Sequence, residues 1–357
     1  MTTKGNNQSQ VNARELALDI LYEILEKDGY SHLVLNQALS KYQYLGKQDR
    51  SLITRITEGT LEYLIQIDAV IDQFSKTKVR KLKPLIRTLL RMSVYQILYM
   101  DRIPDSAVCN EAVKLAQKKG FRQLKGFVNG VLRNIARNLG EVKLPSEKEP
   151  VRYLSVRYSM PEWLASMWLQ EYGFETTAKM GQAMLDDQKT SVRVRNPQNT
   201  ENVKEALAAE GLQTEPGCIL PEALHISGYD YLGNVDAFAD GQIVVQDESA
   251  MLAAAAAGIA GGETIIDVCA APGGKSMHMA DLLHESGHVS ARDLTEAKVI
   301  RIRENLLRTG LTNVSAEVKD ALEFYPEDEA KADIVMADLP CSGLGVIGKK
   351  ADIRYKM

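Results

Sequence analysis

The sequence predicts a multidomain protein in which an all-helical N-terminal half precedes α/β domains, and three observations support this fold class. Apolar residues recur at helical spacing over residues 11–140, without strand-like alternation of useful length. The segment Thr264–Ser276 combines a buried strand, a glycine-rich turn and the start of a helix. Strands and helices then alternate with the spacing of βαβ units. The 357 residues give room for two or three domains, each large enough to bury a core.

The N-terminal helices are bounded by residues that commonly begin or end helices. Asp49 precedes an amphipathic run and is predicted to cap its N-terminus. Pro84 suits the first turn of another helix, and Gly120 and Gly140 are predicted to end later ones. Residues 11–140 are therefore predicted to form a helical bundle.

The net charge of -4 conceals a division along the chain. Residues 1–143 carry 23 Lys and Arg against 14 Asp and Glu, a net charge of +9, whereas the remainder carries -13. Two stretches, 73–100 and 112–140, contain no acid. Their cations could bind phosphates or simply form solvated helix faces. These cations are Lys76, Lys78, Arg80, Lys81, Lys83, Arg87, Arg91, Lys114, Lys118, Lys119, Arg122, Lys125, Arg133 and Arg137.

A small α/β segment is predicted at 151–235, after a polar linker at 141–150. Its first helix, 161–173, holds Trp163 and Trp168, which are assigned to the core rather than to base stacking. Arg193 and Arg195 could extend a path for a nucleic acid. Strands are predicted at Thr190–Arg195, Leu224–Ile226, Ala237 and Ile243–Val245, with a helix at Glu201–Gly211.

The glycine-rich turn is the strongest chemical signal. A turn between a strand and a helix lets backbone amides approach a ligand, and glycine leaves the necessary space. Neither a Walker loop nor GxGxxG is present. Asp293, Asp320 and Asp338 follow the next three predicted strands, at the edge where open α/β sheets bind ligands. Together these features favour a nucleoside-containing cofactor, although each acid alone could be a helix cap.

Composition excludes several other classes of protein. The four cysteines, Cys109, Cys218, Cys269 and Cys341, are widely spaced and form no CxxC pair. The sequence therefore predicts neither a zinc site nor a disulfide framework. The longest apolar run, 251–259, is shorter than the roughly 20 residues of a membrane span. A soluble, cytoplasmic protein with no metal and no membrane partner is expected.

Longer motifs resemble two known families. The segments Asp49–Phe74, Leu85–Gly120 and Phe127–Arg137, the last reading FVNGVLRNIAR, resemble the NusB-type RNA-binding helical domain. VCAAPGGKS and Ala337–Met357 resemble motifs I and IV of the S-adenosylmethionine-dependent RNA cytosine-5 methyltransferases. Together with GQIVVQDESAMLAA at 241–254, the whole chain resembles the RsmB (Sun, Fmu) 16S rRNA cytosine-5 methyltransferases.

This resemblance implies domain limits and site residues. It implies a NusB-like domain at 1–143, a small α/β domain at 151–235 and a Rossmann-like class I methyltransferase domain at 236–357. Asp293 would hold the ribose hydroxyls, Asp320 the adenine edge, and Asp338 would lie near the methionyl end and the target base. Arg292 departs from the family's usual small or apolar residue and is expected to loosen the ribose contact. The residues that would wrap the methionyl and ribose part are Cys269, Ala270, Ala271, Pro272, Gly273, Gly274 and Lys275.

The implied reaction is methylation of cytosine carbon 5 in 16S rRNA by covalent cysteine catalysis, in a monomer. In the family, the Pro-Cys motif, here Pro340 and Cys341, assists product release, and a later Thr-Cys-Ser motif supplies the attacking thiol. The 357 residues contain no Thr-Cys-Ser, and only four strands of the sheet can be placed. The chain is therefore expected to be C-terminally truncated, with weak or no cofactor binding and no turnover. The alternatives are an inactive RNA-binding protein, a small-molecule methyltransferase, and attack by Cys341 itself.

Overall fold

A computed structural model describes residues 11–186 and 189–356 of the chain. The described residues divide into two compact units, 11–186 with 342–356, and 189–341. The predicted limits at 1–143, 151–235 and 236–357 stay predictions, although the architecture is the predicted combination of helical and α/β parts.

The N-terminal part of the first unit is entirely helical, as predicted. Its core is formed by buried side chains such as Leu18, Ile53, Leu89 and Val128, which lie on the apolar faces of amphipathic helices. The helices are α1 (Ala13–Glu26), α2 (Ser31–Lys41), α3 (Lys47–Glu62), α4 (Leu64–Phe74), α5 (Pro84–Tyr99), α6 (Asp105–Lys118) and α7 (Lys125–Arg137).

Of two predicted helix boundaries, the one at Pro84 is confirmed and the one at Asp49 is wrong. Pro84 occupies the first turn of α5, where its missing amide hydrogen has no cost. The predicted cap at Asp49 is wrong, because α3 begins at Lys47 with Gly46 as its N-cap. Asp49 instead lies in the first turn, where a carboxylate interacts favourably with the helix dipole.

Gly59 on α3 allows the close approach of α5. A Cβ atom at this position would lie 2.0 Å from Cζ of Tyr95, a fully buried side chain. We expect Gly59→Ala to lower the free energy of unfolding by about 1–3 kcal/mol through overpacking. Gly130→Ala on α7 is the matched control, because a Cβ atom at this position would have no neighbouring atom within 4 Å. This variant should be slightly more stable, since alanine favours a helix over glycine by about 1 kcal/mol. Urea unfolding of both variants tests this, and equal stability would contradict the packing described.

Two further helices, α8 (Pro150–Tyr158) and α9 (Glu162–Ala183), follow the bundle. The helix α9 is interrupted at Gly173, whose φ of 75° lies in the left-handed region. The assignment of both tryptophans to the core is wrong for Trp163, which is 44% exposed. Leu164 and Ala165 are buried and mark the inner face of the helix. Trp168, four residues after Leu164, packs against the same core and is partly buried, whereas Trp163 lies outside this face.

The segment 342–356 belongs to the helical unit, which the sequence did not predict. Arg354 is buried and donates hydrogen bonds to the carbonyl oxygens of Glu62, Met184 and Ile347. The hydroxyl of Tyr355 donates to the carbonyl of Leu61 at 2.7 Å. These contacts fasten the segment to α3 and to the end of α9.

The second unit contains a four-stranded antiparallel sheet with the order β2-β3-β1-β4. One predicted strand is wrong here, and one observed strand was not predicted. Ala237 lies in a short helix rather than a strand, and β2 was not predicted because its residues QTEP are polar. The elements are β1 (Thr190–Val194), α10 (Thr200–Ala209), β2 (Gln213–Pro216), β3 (Ala223–Ser227), α11 (Asp236–Ala239) and β4 (Ile243–Val245).

A parallel sheet completes this unit, with the order β7-β6-β5-β8. All four strands were predicted, because buried strands and their helices alternate regularly. Val335, in the edge strand of residues Ile334–Met336, is 61% exposed. The elements are α12 (Glu248–Ala255), β5 (Thr264–Asp267), α13 (Gly274–Leu282), β6 (His288–Asp293), α14 (Glu296–Thr309), β7 (Val314–Val318) and β8 (Ile334–Met336).

Within the described ranges, no helix has the length and apolar character needed to cross a membrane.

Candidate functional site

The glycine-rich turn connects the central strand β5 to α13. Ile265 and Ile266 are buried in the sheet, and the chain turns sharply before α13 begins at Gly274. Gly273 has a φ of 105°, a conformation that side chains other than glycine rarely adopt. The turn therefore presents backbone amides and the N-terminus of α13 to an adjoining cleft.

This cleft has a volume of about 190 Å³ and lies at the carboxyl end of β5. The structure brings most of the predicted cofactor residues together there, with Gly273 in the turn itself. The predicted residues that line it are Cys269, Ala270, Ala271, Pro272, Gly274, Lys275 and Asp338.

Two lining residues were missed by the sequence prediction. Asp267 ends β5 and accepts a hydrogen bond from Ser276 through Oδ2 at 2.6 Å, while its buried Oδ1 has no partner among the described residues. Burial raises the pKa of this carboxyl. The side-chain oxygen Oε1 of Gln246 accepts a hydrogen bond from Arg193 Nε at 2.9 Å. The buried Nε2 of Gln246 likewise has no partner in the described part of the chain. The position of Asp267 at a strand end was the signal that could have identified it.

Asp293 is buried directly beside the turn. Its Oδ2 accepts the backbone amide of Ala271 at 3.1 Å, and its Oδ1 accepts the amide of Leu294 and Nζ of Lys298, both at 2.8 Å. The carboxylate thus holds the turn, and one of its oxygens is engaged by a half-exposed lysine that can move aside.

Asp320 does not line the same cleft. It lies in a neighbouring one of about 260 Å³ with Val268, Tyr325 and Val335. Its backbone amide donates to the Tyr325 hydroxyl at 3.0 Å. The chain just before Asp320 is nevertheless held next to Asp293, because Lys319 N donates to the carbonyl oxygen of Asp293 at 3.1 Å.

Lys275 and Asp338 close one side of the 190 Å³ cleft with an ion pair of 2.5 Å between Nζ and Oδ2. Cys341 lies three residues after Asp338 and is exposed. Cys269 lines the cleft, and burial raises the pKa of its thiol, which favours the protonated form. Of these two thiols, Cys341 is the more accessible to solvent, and its role in a Pro-Cys motif stays a prediction.

Arg292 has its own acidic partner. It binds Asp328 through two hydrogen bonds of 2.5 and 2.8 Å and donates to Ser290 at 2.8 Å. This pairing lowers the pKa of Asp328 to about 2. The loosening of the ribose contact that was expected from Arg292 stays a prediction.

The proposed RNA path through Arg193 and Arg195 is wrong. Arg193 is buried, and both guanidinium groups bind the carboxylate of Asp281 on α13, at 2.8 and 2.7 Å. Arg195 also donates to the carbonyl oxygen of Thr309 at 2.5 Å. The alternating sequence TSVRVR predicted the strand but could not show that its charged face is covered.

His278 on α13 is a buried histidine whose protonation should make the stability of the protein depend on pH. Its imidazole is buried, with Nδ1 unpartnered within the described chain and Nε2 3.9 Å from Glu222 Oε1. Burial, and secondly the Arg193 charge, lower its pKa to about 3. The unfolded pKa is near 6.5, so this contribution to stability is present above pH 6.5 and is lost as the pH falls toward 3.

In the wild type, protonation of His278 in the unfolded state should lower the free energy of unfolding by at most about 1.4 kcal/mol for each pH unit between pH 6.5 and 4. We therefore expect the free energy of unfolding of His278→Gln to fall less steeply over this range. Urea unfolding at a series of pH values measures the difference. His288→Gln, at an exposed site, is the control. Parallel profiles for the wild type and His278→Gln would contradict the assignment.

The cations of the helical unit divide into paired and free groups. Arg91 binds Asp68 at 2.6 Å and Lys118 binds Glu15 at 2.5 Å, so these charges are neutralised locally. The two acid-free stretches meet where Lys83 Nζ lies 5.6 Å from the ring centre of Phe121. Within the two acid-free stretches, the exposed cations that form no ion pair with any described residue are Lys76, Lys78, Arg80, Lys81, Lys83, Arg122, Lys125, Arg133 and Arg137.

Three known families match successive segments of the chain. The NusB family matches residues 11–137. The ferredoxin-like domain of RsmF/B-like methyltransferases matches residues 160–229. The 16S rRNA methyltransferase RsmB/F family matches residues 256–357.

Individual relatives align along nearly the whole chain. The probable ribosomal RNA small subunit methyltransferase B of Bacillus subtilis is 37% identical over 97% of this chain and 77% of its own length. The corresponding protein of Synechocystis is 31% identical over 97% of the chain and 78% of its own length. The crystal structure of PH0851 superposes with a TM-score of 0.74 at 25% identity, covering 98% of this chain and 79% of that one. The chain therefore belongs to the ribosomal RNA small subunit methyltransferase B family.

Proposed function

We propose that the protein acts in S-adenosylmethionine-dependent methylation of carbon 5 of a cytosine in 16S rRNA. Family membership supports an rRNA methyltransferase, which requires a methyl donor. The observation that carries the cofactor assignment is the cleft at the glycine-rich turn, where a buried carboxylate oxygen and a buried amide nitrogen lack partners among the described residues.

These two atoms fit the amino-acid end of S-adenosylmethionine. Asp267 Oδ1 would accept from its ammonium group, and Gln246 Nε2 would donate to its carboxylate. Leaving both atoms unpaired and buried would cost about 1–3 kcal/mol each, which a bound zwitterion would relieve. The amides at the start of α13 would assist with the carboxylate.

The remaining acids suit the nucleoside. Asp293 would accept hydrogen bonds from the ribose hydroxyls once Lys298 moves aside. Asp320, at the end of the next strand, would accept from the adenine amino group. These roles are proposals, as is that of Asp338 near the methyl group and the base.

Carbon 5 of cytosine is a weak nucleophile and must be activated. Addition of a thiolate at carbon 6 makes the ring an enamine-like nucleophile, a form of covalent catalysis. When bound, the cofactor supplies an electrophilic methyl sulfonium. Once carbon 5 carries the methyl group, transfer of its proton to a base or to water expels the thiolate from carbon 6 and restores the ring. We assign Cys341 to product release and Asp338 to hydrogen bonding at the base edge, where charge develops. The family resemblance assigns attack to a Thr-Cys-Ser cysteine, a motif that the 357 residues do not contain.

The helical unit would bind the RNA through its free cations. Phosphate neutralisation is independent of sequence, so this surface would position the substrate rather than select the cytosine. The target base must also be taken out of its stack before it can enter a pocket. Ribosomal RNA as substrate implies a cytoplasmic protein, which we propose acts as a monomer.

The triple variant Lys81→Ala, Arg122→Ala, Lys125→Ala is expected to weaken binding of a 16S rRNA fragment. Each lost phosphate contact lowers the slope of log K against log salt by about 0.7–0.9, so the triple change should lower it by about 2. Filter binding at several salt concentrations measures this slope. Lys118→Ala is the control because Glu15 already neutralises that lysine. An unchanged slope in the triple variant would contradict an RNA-binding role for this surface.

A second candidate function is an RNA-binding protein without catalytic activity, for which the exposed cations of the helical unit are the supporting observation. Separate titrations with labelled S-adenosylmethionine and with an rRNA fragment distinguish the candidates. The proposed enzyme function requires binding of both. Binding of RNA alone supports the second candidate, and binding of cofactor alone indicates a small-molecule methyltransferase.

A further inference from the structure

Three side chains with metal-binding atoms come together outside the cofactor cleft. Cys218 lies in the loop between β2 and β3, His225 lies on β3, and Glu248 begins α12. One ligand atom from each lies within 4.8 Å of the other two. We propose that Cys218, His225 and Glu248 form a zinc site with one position open to solvent.

Glu248 is held as a charged ligand by the backbone. The backbone amides of Cys218, Ile219 and Leu220 donate hydrogen bonds to its carboxylate and fix the position of both oxygens. The first two hydrogen bonds are 2.9 and 2.8 Å long. A carboxylate oxygen has two lone pairs, so Oε1 can accept an amide hydrogen and bind a cation together.

His225 is oriented toward the same point. Its Nε2 lies 3.3 Å from Glu248 Oε1, and its Nδ1 lies 3.2 Å from the Ser191 hydroxyl. A hydrogen bond from Nδ1–H to Ser191 leaves the Nε2 lone pair free for a metal. Such an outer partner is characteristic of histidines that bind metals.

Gly217 brings Cys218 against this pair. A Cβ atom at Gly217 would lie 2.4 Å from the Ala223 Cβ and 2.9 Å from the Glu248 Cδ. Any side chain there would displace the loop from Glu248. Glycine thus allows the amide and thiol of Cys218 to approach the carboxylate.

The ligand types identify the metal class. Sulfur, nitrogen and oxygen donors together suit Zn²⁺, with bonds of about 2.0–2.3 Å in a tetrahedral arrangement. Calcium and magnesium prefer oxygen ligands alone. Because Cys218 is exposed, water can reach the fourth position. The expectation of no metal rested on the absence of CxxC spacing, whereas this cluster is assembled by a β-hairpin and a helix distant in sequence.

The test is titration of the tag-free, reduced and metal-stripped 357-residue protein with Zn²⁺ alone, against a chromophoric chelator. We expect one equivalent to bind, with the affinity reduced at least about tenfold in Cys218→Ser and in His225→Ala. His288→Ala, outside the cluster, should retain the wild-type affinity. Glu248→Gln is avoided because Glu248 also holds three amides of the loop.

Titration with Co²⁺ identifies the thiol independently, because a cobalt–thiolate bond gives a charge-transfer absorption. This absorption should appear in the wild type and in Cys341→Ser but be absent from Cys218→Ser. Circular dichroism of Cys218→Ser and His225→Ala, matching the wild type, separates loss of the site from loss of the fold. The proposal is overturned if Zn²⁺ does not bind, or if Cys218→Ser binds Zn²⁺ as the wild type does.

Discussion

Asp293→Ala is expected to lower the affinity for S-adenosylmethionine about 10-fold to 100-fold. Hydrogen bonds to a charged acceptor contribute about 1.5–3 kcal/mol, and each 1.4 kcal/mol corresponds to a factor of ten. The carboxylate also accepts the Ala271 amide, so its loss relaxes the turn. Equilibrium dialysis with labelled cofactor measures the change even when binding is weak.

Two controls separate ligand binding from a general loss of structure. Lys298→Ala removes the cation that engages Asp293 Oδ1, so it should retain or increase cofactor affinity. Glu304→Ala, on the exposed side of α14, should leave affinity unchanged. If Asp293→Ala bound the cofactor as tightly as the wild type, Asp293 would have no part in holding the ribose.

Asp281→Ala is expected to destabilise the second unit by about 3–5 kcal/mol. Removing one partner of a buried ion pair leaves an uncompensated charge, and here two arginines depend on a single carboxylate. Burial lowers the pKa of Arg193, which shows how unfavourable its charge is at this position. Urea unfolding followed by circular dichroism measures the loss.

A charge-free replacement tests whether the unpaired charge is the cause. The triple variant Arg193→Met, Arg195→Met, Asp281→Leu should recover part of the stability lost in Asp281→Ala, because apolar residues can substitute for a buried ion pair. Glu304→Ala again serves as the exposed control. A loss below about 1 kcal/mol in Asp281→Ala would mean that water solvates the two arginines.

The regular elements were predictable because their signals are local. The four parallel strands follow from short apolar runs that end in polar residues. Elements that depend on tertiary contacts were not predictable. The strand Gln213–Pro216 is polar, and Ala237 lies in a helical turn. The segment 342–356 is fixed by carbonyl groups from distant helices, which no local pattern shows.

The candidate site shows the same division. The turn 269–275 was evident because its glycines and flanking strand are contiguous in sequence. Gln246 was missed because it reaches the cleft from the end of β4, and its importance lies in an unpaired amide that only the fold shows. Arg193 and Arg195 were misassigned because a charged strand face can be covered by another element, in this case α13.

The central claim is that the glycine-rich cleft holds S-adenosylmethionine. Ultraviolet cross-linking of methyl-tritiated cofactor to the 357-residue protein, followed by peptide mapping, tests it most directly. We predict label within residues 245–275 or 293–298, removed by excess unlabelled cofactor and reduced in Asp293→Ala. Label confined to other residues, or no label that unlabelled cofactor removes, would contradict the assignment.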